Sequence, residues 1–189
     1  MDRREAITRV GWILGGTIVG ANLFLETGCK STGKQVSELF NPDQISFLNE
    51  IGETILPATS SPGAKAANVG QFMAVMVKDC YTKRDQQIFV KGLKRIDEQC
   101  REANGKSFMD CNAQERTVFL TKMDAKQKAY MEHKQKEQPS HYFRMIKELT
   151  LLGFFTSEVG ATQALRYVAV PGRYDGDVPY KKGDKAWAT

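Results

Sequence analysis

Apolar residues recur at helical spacing through most of this chain, and polar punctuation separates the runs. Asn41-Pro42-Asp43-Gln44 offers an N-cap, a proline at the first helical position and an amide at the third. Ile45, Leu48, Ile51 and Ile55 follow, so a helix is predicted from Pro42 until Pro57 stops it. Ala58 to Asn68, rich in Ser, Pro, Gly and Ala, reads as a loop, and Val69 to Tyr81 as a second helix with Phe72, Val75 and Met76 on one face. Thr82-Lys83-Arg84-Asp85 caps a third, carrying Ile88, Phe89, Leu93, Ile96 and Cys100 until Gly105 ends it. Asn112 with Glu115 opens a fourth through Val118, Phe119 and Leu120, and Asp124 begins a polar stretch expected to be helical as well. Ser140 precedes a strongly apolar helix from about Tyr142 to Phe155, and no useful β-alternation occurs before Arg166. The pattern predicts an all-α, compact helical domain of about five helices over residues 41–165.

The two ends break this pattern. Arg3-Arg4 begins a charged start, an uncharged, mostly apolar run extends from Val10 to Leu25, and Gly28-Cys29 closes it. That order is the one an export signal needs, and the run is short of the roughly 20 apolar residues that span a bilayer. Residues 1–28 are therefore expected to be a signal peptide and 29–40 a linker. Adjacent arginines resemble the twin-arginine signal, although no bulky apolar pair follows them; Leu25-Glu26-Thr27-Gly28-Cys29 resembles a lipobox with an unsuited Glu26, making Cys29 a candidate lipidation site. The competing reading is an ordinary cysteine in an uncleaved anchor. At the other end, residues 166–189 combine Pro171, Pro179 and three glycines with Tyr167, Tyr174, Tyr180 and Trp187. A regular helix is excluded, and the segment is too aromatic for an ordinary disordered end. It is expected to be an irregular C-terminal arm, either folded back on its own helices or extended over another protein with Tyr, Trp and Arg anchors.

Composition narrows the function classes. Without its first 28 residues the chain keeps 24 basic against 19 acidic side chains, a mild excess with acids interleaved among the lysines of 122–136, which favours a solvated face over nucleic acid. Cys80, Cys100 and Cys111 remain after Cys29. In an oxidising compartment Cys100 and Cys111, separated by a short Gly-containing connection, are the candidate disulfide, although Cys80 could be buried, or pair with either or with another chain. No Cys-x-x-Cys or Cys-x-x-Cys-His occurs, and neither His133 nor His141 stands at a ligand spacing from a cysteine, so no metal or covalent haem site is expected in this chain. There is no Gly-x-Gly-x-x-Gly, Gly-x-Ser-x-Gly or His-Glu-x-x-His either, so catalytic residues and a bound cofactor are not expected here. The histidines read as solvated or capping groups, and Glu148 and Glu158 as members of ion pairs with Arg144, Lys147 or Arg166.

Several stretches carry a family resemblance: Glu53-Thr54-Ile55-Leu56-Pro57-Ala58-Thr59, Ser61-Pro62-Gly63-Ala64-Lys65-Ala66-Ala67, Asp79-Cys80-Tyr81, the run from Lys147 through Leu149-Thr150-Leu151-Leu152-Gly153-Phe154-Phe155 to Thr162, and Pro171-Gly172-Arg173-Tyr174-Asp175-Gly176. In this order, from about Ile45 to Trp187, the chain resembles the gluconate 2-dehydrogenase subunit 3 family, small subunits of membrane-bound bacterial flavin dehydrogenases. The resemblance implies a cofactor-free subunit paired with an FAD-bearing large subunit of the glucose-methanol-choline (GMC) type, often with a cytochrome c carrying haem, in the periplasm and at the membrane. It also implies that the small subunit's signal can export a prefolded partner. Glu158, Arg166, Tyr167, Pro171, Arg173, Tyr174 and Trp187 are candidate partner contacts; Phe154 and Phe155 read first as the buried end of the last helix and alternatively as part of the same contact surface. A free-standing envelope lipoprotein acting as an interaction module is the competing class.

Overall fold

The computed structural model describes residues 39–170, 172–174 and 176–188. Arg3, Arg4, the predicted signal 1–28, Cys29 and nearly all of the 29–40 linker lie outside the described residues, as do Pro171, Asp175 and Thr189. Among the described residues the chain is all-α: α1 Pro42–Ile55, α2 Val69–Cys80, α3 Lys83–Asn104, a 3-10 turn Phe108–Asp110, α4 Ala113–His133, α5 Tyr142–Phe155 and a π turn Gly160–Ala164. No strand longer than one isolated bridge, Arg166 with Trp187, occurs among them.

The helix starts follow their caps. Asn41 Oδ1 accepts the Gln44 N–H at 2.8 Å while Gln44 Oε1 accepts the Asn41 N–H at 3.0 Å, and Asn112 and Glu115 repeat the arrangement at α4. Thr82 Oγ1 accepts the Asp85 N–H at the start of α3. Just inside α3, the buried Gln86 turns its Nε2 back to the carbonyls of Val77, Lys78 and Tyr81 at 2.8–3.2 Å. One amide thereby shares its two N–H groups among two of the carbonyls that the end of α2 leaves unpaired and that of the capping Tyr81, tying the α2–α3 corner together.

The helix predicted last in sequence is central in space. α5 packs against α1, α2, α3 and α4 and buries Tyr142, Phe143, Met145, Ile146, Leu149, Thr150, Gly153 and Phe154, most of its circumference. Gly153 lies beneath the Phe72 ring of α2, where a Cβ would come within 2.5 Å of a ring carbon, so glycine lets these helices approach.

Two predicted faces shift. In α2 the buried row is Val69, Gly70, Met73, Ala74 and Val77, with Phe72, Val75 and Met76 half-buried on its flank, because α2 packs on both α1 and α5 and centres its stripe on Met73. In α4 the stretches on either side of Asp124 are one helix whose inner face is Phe119, Leu120, Met123 and Gln127, leaving Val118 44% exposed.

His141 caps α5 with its ring, Nδ1 accepting the Phe143 N–H at 3.2 Å, and stacks on Tyr142 with centroids 4.3 Å apart. Only an unprotonated Nδ1 can accept. Burial, helped by the charge of Arg95, lowers its pKa from the usual 6.5. As pH falls through 6.5 the unfolded chain takes up this proton before the folded one does, so stability from this site is present above 6.5 and is lost below it. Urea unfolding between about pH 7.5 and 5.5 should show a smaller loss of stability for His141→Asn, which keeps a capping oxygen, than for the parent. Identical slopes would contradict this.

Candidate functional site

The loop after α1 is organised by one carboxylate. Glu53 accepts the Ala58 N–H on Oε1 at 2.9 Å and the Lys65 N–H on Oε2 at 2.8 Å, spanning both ends of the 58–65 segment. Gly63 lies so close that a Cβ there would come within 2.3 Å of the carboxylate, which accounts for pairing Glu53 with a glycine. One turn earlier, Glu50 receives Lys65 and the Arg116 guanidinium, the latter at 2.7 Å. The bond from Lys65, opposed by burial and reinforced by Arg116, holds its pKa below the usual value. Arg116 also donates to the Phe108 carbonyl at 3.0 Å and the Met109 carbonyl at 2.7 Å, tying α1, the 3-10 turn and α4 together. Asp124 is the corresponding anchor between α4 and α5. Burial alone would raise its pKa, but bonds from Lys147, Lys128 and Gln127 outweigh it and lower the pKa to about 2.

These charges hold helices together and present no convergent acid and base. His133 directs Nδ1 at the Ala129 carbonyl one turn back, 3.0 Å away, and His141 is a cap. Glu148 and Glu158, expected in ion pairs beside the apolar run, are both exposed; Glu148 pairs with Arg144 on its own helix, while Lys147 turns to Asp124. Among the described residues no three His, Cys, Asp or Glu side chains cluster in a way that could hold a metal ion.

Cys100 and Cys111 are brought together at the α3–α4 corner, both buried, with Sγ atoms 3.6 Å apart and unbridged in this structure. Cys80 lies exposed at the end of α2.

The predicted partner-contact residues divide. Phe154 is 4% exposed and belongs to the core, so it cannot be a surface anchor; its neighbour Phe155 is 39% exposed and shares the outer side of α5 with Leu151 and Leu152. Beyond them Ser157 Oγ donates to the Phe154 carbonyl and accepts the Gly160 N–H, setting up the π turn that Leu165 N–H to Gly160 C=O closes. Arg166 then starts the C-terminal segment, and that segment returns to it. The Arg166 N–H donates to the Ala186 carbonyl at 2.8 Å, the Ala188 N–H donates to the Arg166 carbonyl at 2.9 Å, and the guanidinium lies 3.7 Å from the Trp187 ring centroid. Lys185 reaches the Gln163 carbonyl.

The expected arm is thus a closed loop rather than an extended strand throughout. Its rings still face outward: Tyr167, Tyr180 and Tyr174 are 51%, 77% and 96% exposed. Arg166, Tyr167, Val170, Arg173, Tyr174 and Trp187 line an open cleft of about 1090 Å³. Pro171 lies outside the described residues. The Arg166–Trp187 closure had no local signal in sequence, since the pair is far apart along the chain and no periodicity joins it.

Searches of characterised proteins and of solved structures return no match. The family description "Gluconate 2-dehydrogenase subunit 3" matches residues 42–172, the whole helical body and the start of the loop. By that match, and with its all-α body, the chain belongs to the gluconate 2-dehydrogenase subunit 3 family.

Proposed function

We propose that this chain is the non-catalytic small subunit of an envelope flavin dehydrogenase, and that it binds and stabilises an FAD-bearing large subunit of the GMC type. The observation that carries the reading is the succession of exposed apolar side chains on Leu151, Leu152 and Phe155 and then on the closed loop from Tyr167 to Trp187. A soluble domain with a filled core has no folding reason to present Val170 at 81% and Tyr174 at 96% exposure, whereas aromatic and arginine anchors of this kind dominate protein interfaces. The family membership supplies the partner: a dehydrogenase subunit. In this reading the flavin belongs to the large subunit, haem c to a third subunit, and this chain holds neither.

The sequence of residues 1–29 supports a periplasmic, membrane-associated location. The Arg3-Arg4 signal would export the chain, and with it a folded partner lacking its own signal; Cys29 would supply a lipid anchor. No helix among the described residues is long and apolar enough to cross a membrane.

Deleting residues 166–189 and co-expressing the remainder with the adjacent flavoprotein tests the interface. Loss of co-purification, with the helical body still cooperatively folded, is the expected result. Undiminished pairing of the truncated chain would move the interface elsewhere, and a full-length chain that does not pair either would favour the free-standing lipoprotein.

A further inference from the structure

We infer that Cys100 and Cys111 form a redox-closable staple, a disulfide that joins the end of α3 to the start of α4. The two sulfurs face each other at 3.6 Å, and a disulfide needs about 2.05 Å, so each sulfur has to move by less than about 0.8 Å, within reach of small χ1 rotations. The intervening segment is already held in place. The Phe108 N–H donates to Asp97 Oδ1 at 3.0 Å, Ser107 caps the 3-10 turn, and Arg116 grips the Phe108 and Met109 carbonyls.

A second feature points to sulfur chemistry. Asn104 Nδ2 lies 3.4 Å from Cys100 Sγ and 3.6 Å from Cys111 Sγ, so a single amide donor addresses both atoms. Such a donor stabilises whichever sulfur carries negative charge during exchange. Burial opposes this by pushing the Cys100 thiol up to about 11, which disfavours its thiolate at neutral pH.

The chemistry balances with an external organic disulfide, protein-borne or small, as oxidant. Cys111, 5% exposed against 0% for Cys100, loses its proton and attacks one sulfur of the oxidant, forming a mixed disulfide and releasing one thiolate. Cys100 then loses its proton and attacks Cys111 Sγ, displacing the second thiolate. Two thiols of the chain are oxidised, one disulfide is reduced to two thiols, and the two protons pass to the released thiolates. Because neither sulfur is freely accessible, closure in the folded protein waits on opening of the Gly105–Asp110 connection, whereas closure during folding does not.

The test uses the full chain carrying Cys29→Ser and Cys80→Ser, which leaves only this pair and does not depend on the partner reading. Oxidised glutathione is the probe, with thiol titration after unfolding, peptide mapping without reductant, and thermal melts before and after reduction. The expected result is loss of both titratable thiols, a linked Cys100–Cys111 peptide, and a melting temperature that falls by roughly 5–10 °C on reduction. A Cys100→Ala/Cys111→Ala version of the same chain should melt identically with and without reductant. Two free thiols after prolonged oxidation, mixed glutathione adducts that never resolve, or disulfide-linked dimers would each overturn the proposal. Omitting Cys80→Ser gives a second check: maleimide should label Cys80 alone in the oxidised native protein, and a Cys80-containing disulfide would contradict the assignment.

Discussion

Removing the rings of the exposed row, Phe155→Ala with Tyr174→Ala and Tyr180→Ala, is expected to weaken binding to the flavoprotein subunit by about 100-fold or more while leaving the melting temperature of the isolated chain nearly unchanged. The separation of the two effects follows from exposure. Tyr174 and Tyr180 are 96% and 77% exposed, so their truncation removes little folded-state packing, and any small fall in melting temperature comes from Phe155, 39% exposed with its ring edge-on to Phe154 at 5.1 Å; an interface that covers all three loses its anchors. Binding is read by titrating the triple variant against the purified large subunit, and melting by circular dichroism. If affinity is retained, the loop is not the contact surface; if the variant melts much lower, the rings support the fold instead.

Phe108→Ala should give the largest stability loss of any single change at the α3–α4 corner, about 3–5 kcal/mol. The ring is 0% exposed, meets Phe47 of α1 edge-on with centroids 5.5 Å apart and Phe119 of α4 at 6.3 Å, and carries the Arg116 guanidinium 5.2 Å from its centroid. Its removal leaves a cavity where three elements meet, and the Arg116 bonds to Glu50 and to the turn carbonyls lose the surface that orients them. Urea unfolding should show a lower midpoint with an unchanged slope. A loss under about 1 kcal/mol would mean that the corner collapses to fill the space and that the ring is not its keystone.

Helix starts were the most legible part of the fold, because Asn41, Thr82 and Asn112 act within three residues of themselves and need no tertiary context. Buried faces were less so. α2 has apolar side chains nearly all round, so periodicity alone could not choose Met73 and Val77 over Phe72 and Met76, and packing against two helices decided it. Gln86 was invisible as a core residue, since its role depends on where the α2 carbonyls end in space. At the candidate interface, composition marked the tail as aromatic and irregular and left open whether it folds back or lies on another protein, and the family resemblance named the kind of partner. The return of the chain to Arg166 is a long-range outcome that neighbouring residues do not encode, whereas the burial of Phe154 was one of two readings open in sequence and the packing of α5 on the other helices decided it.

The most direct measurement is the visible spectrum of the tagged chain after gentle extraction and gel filtration from its native host. The account predicts flavin absorbance co-eluting with this chain and a second, heavier polypeptide, and its loss when the two are separated. A colourless, solitary chain, or one that oxidises an alcohol unaided, would contradict it.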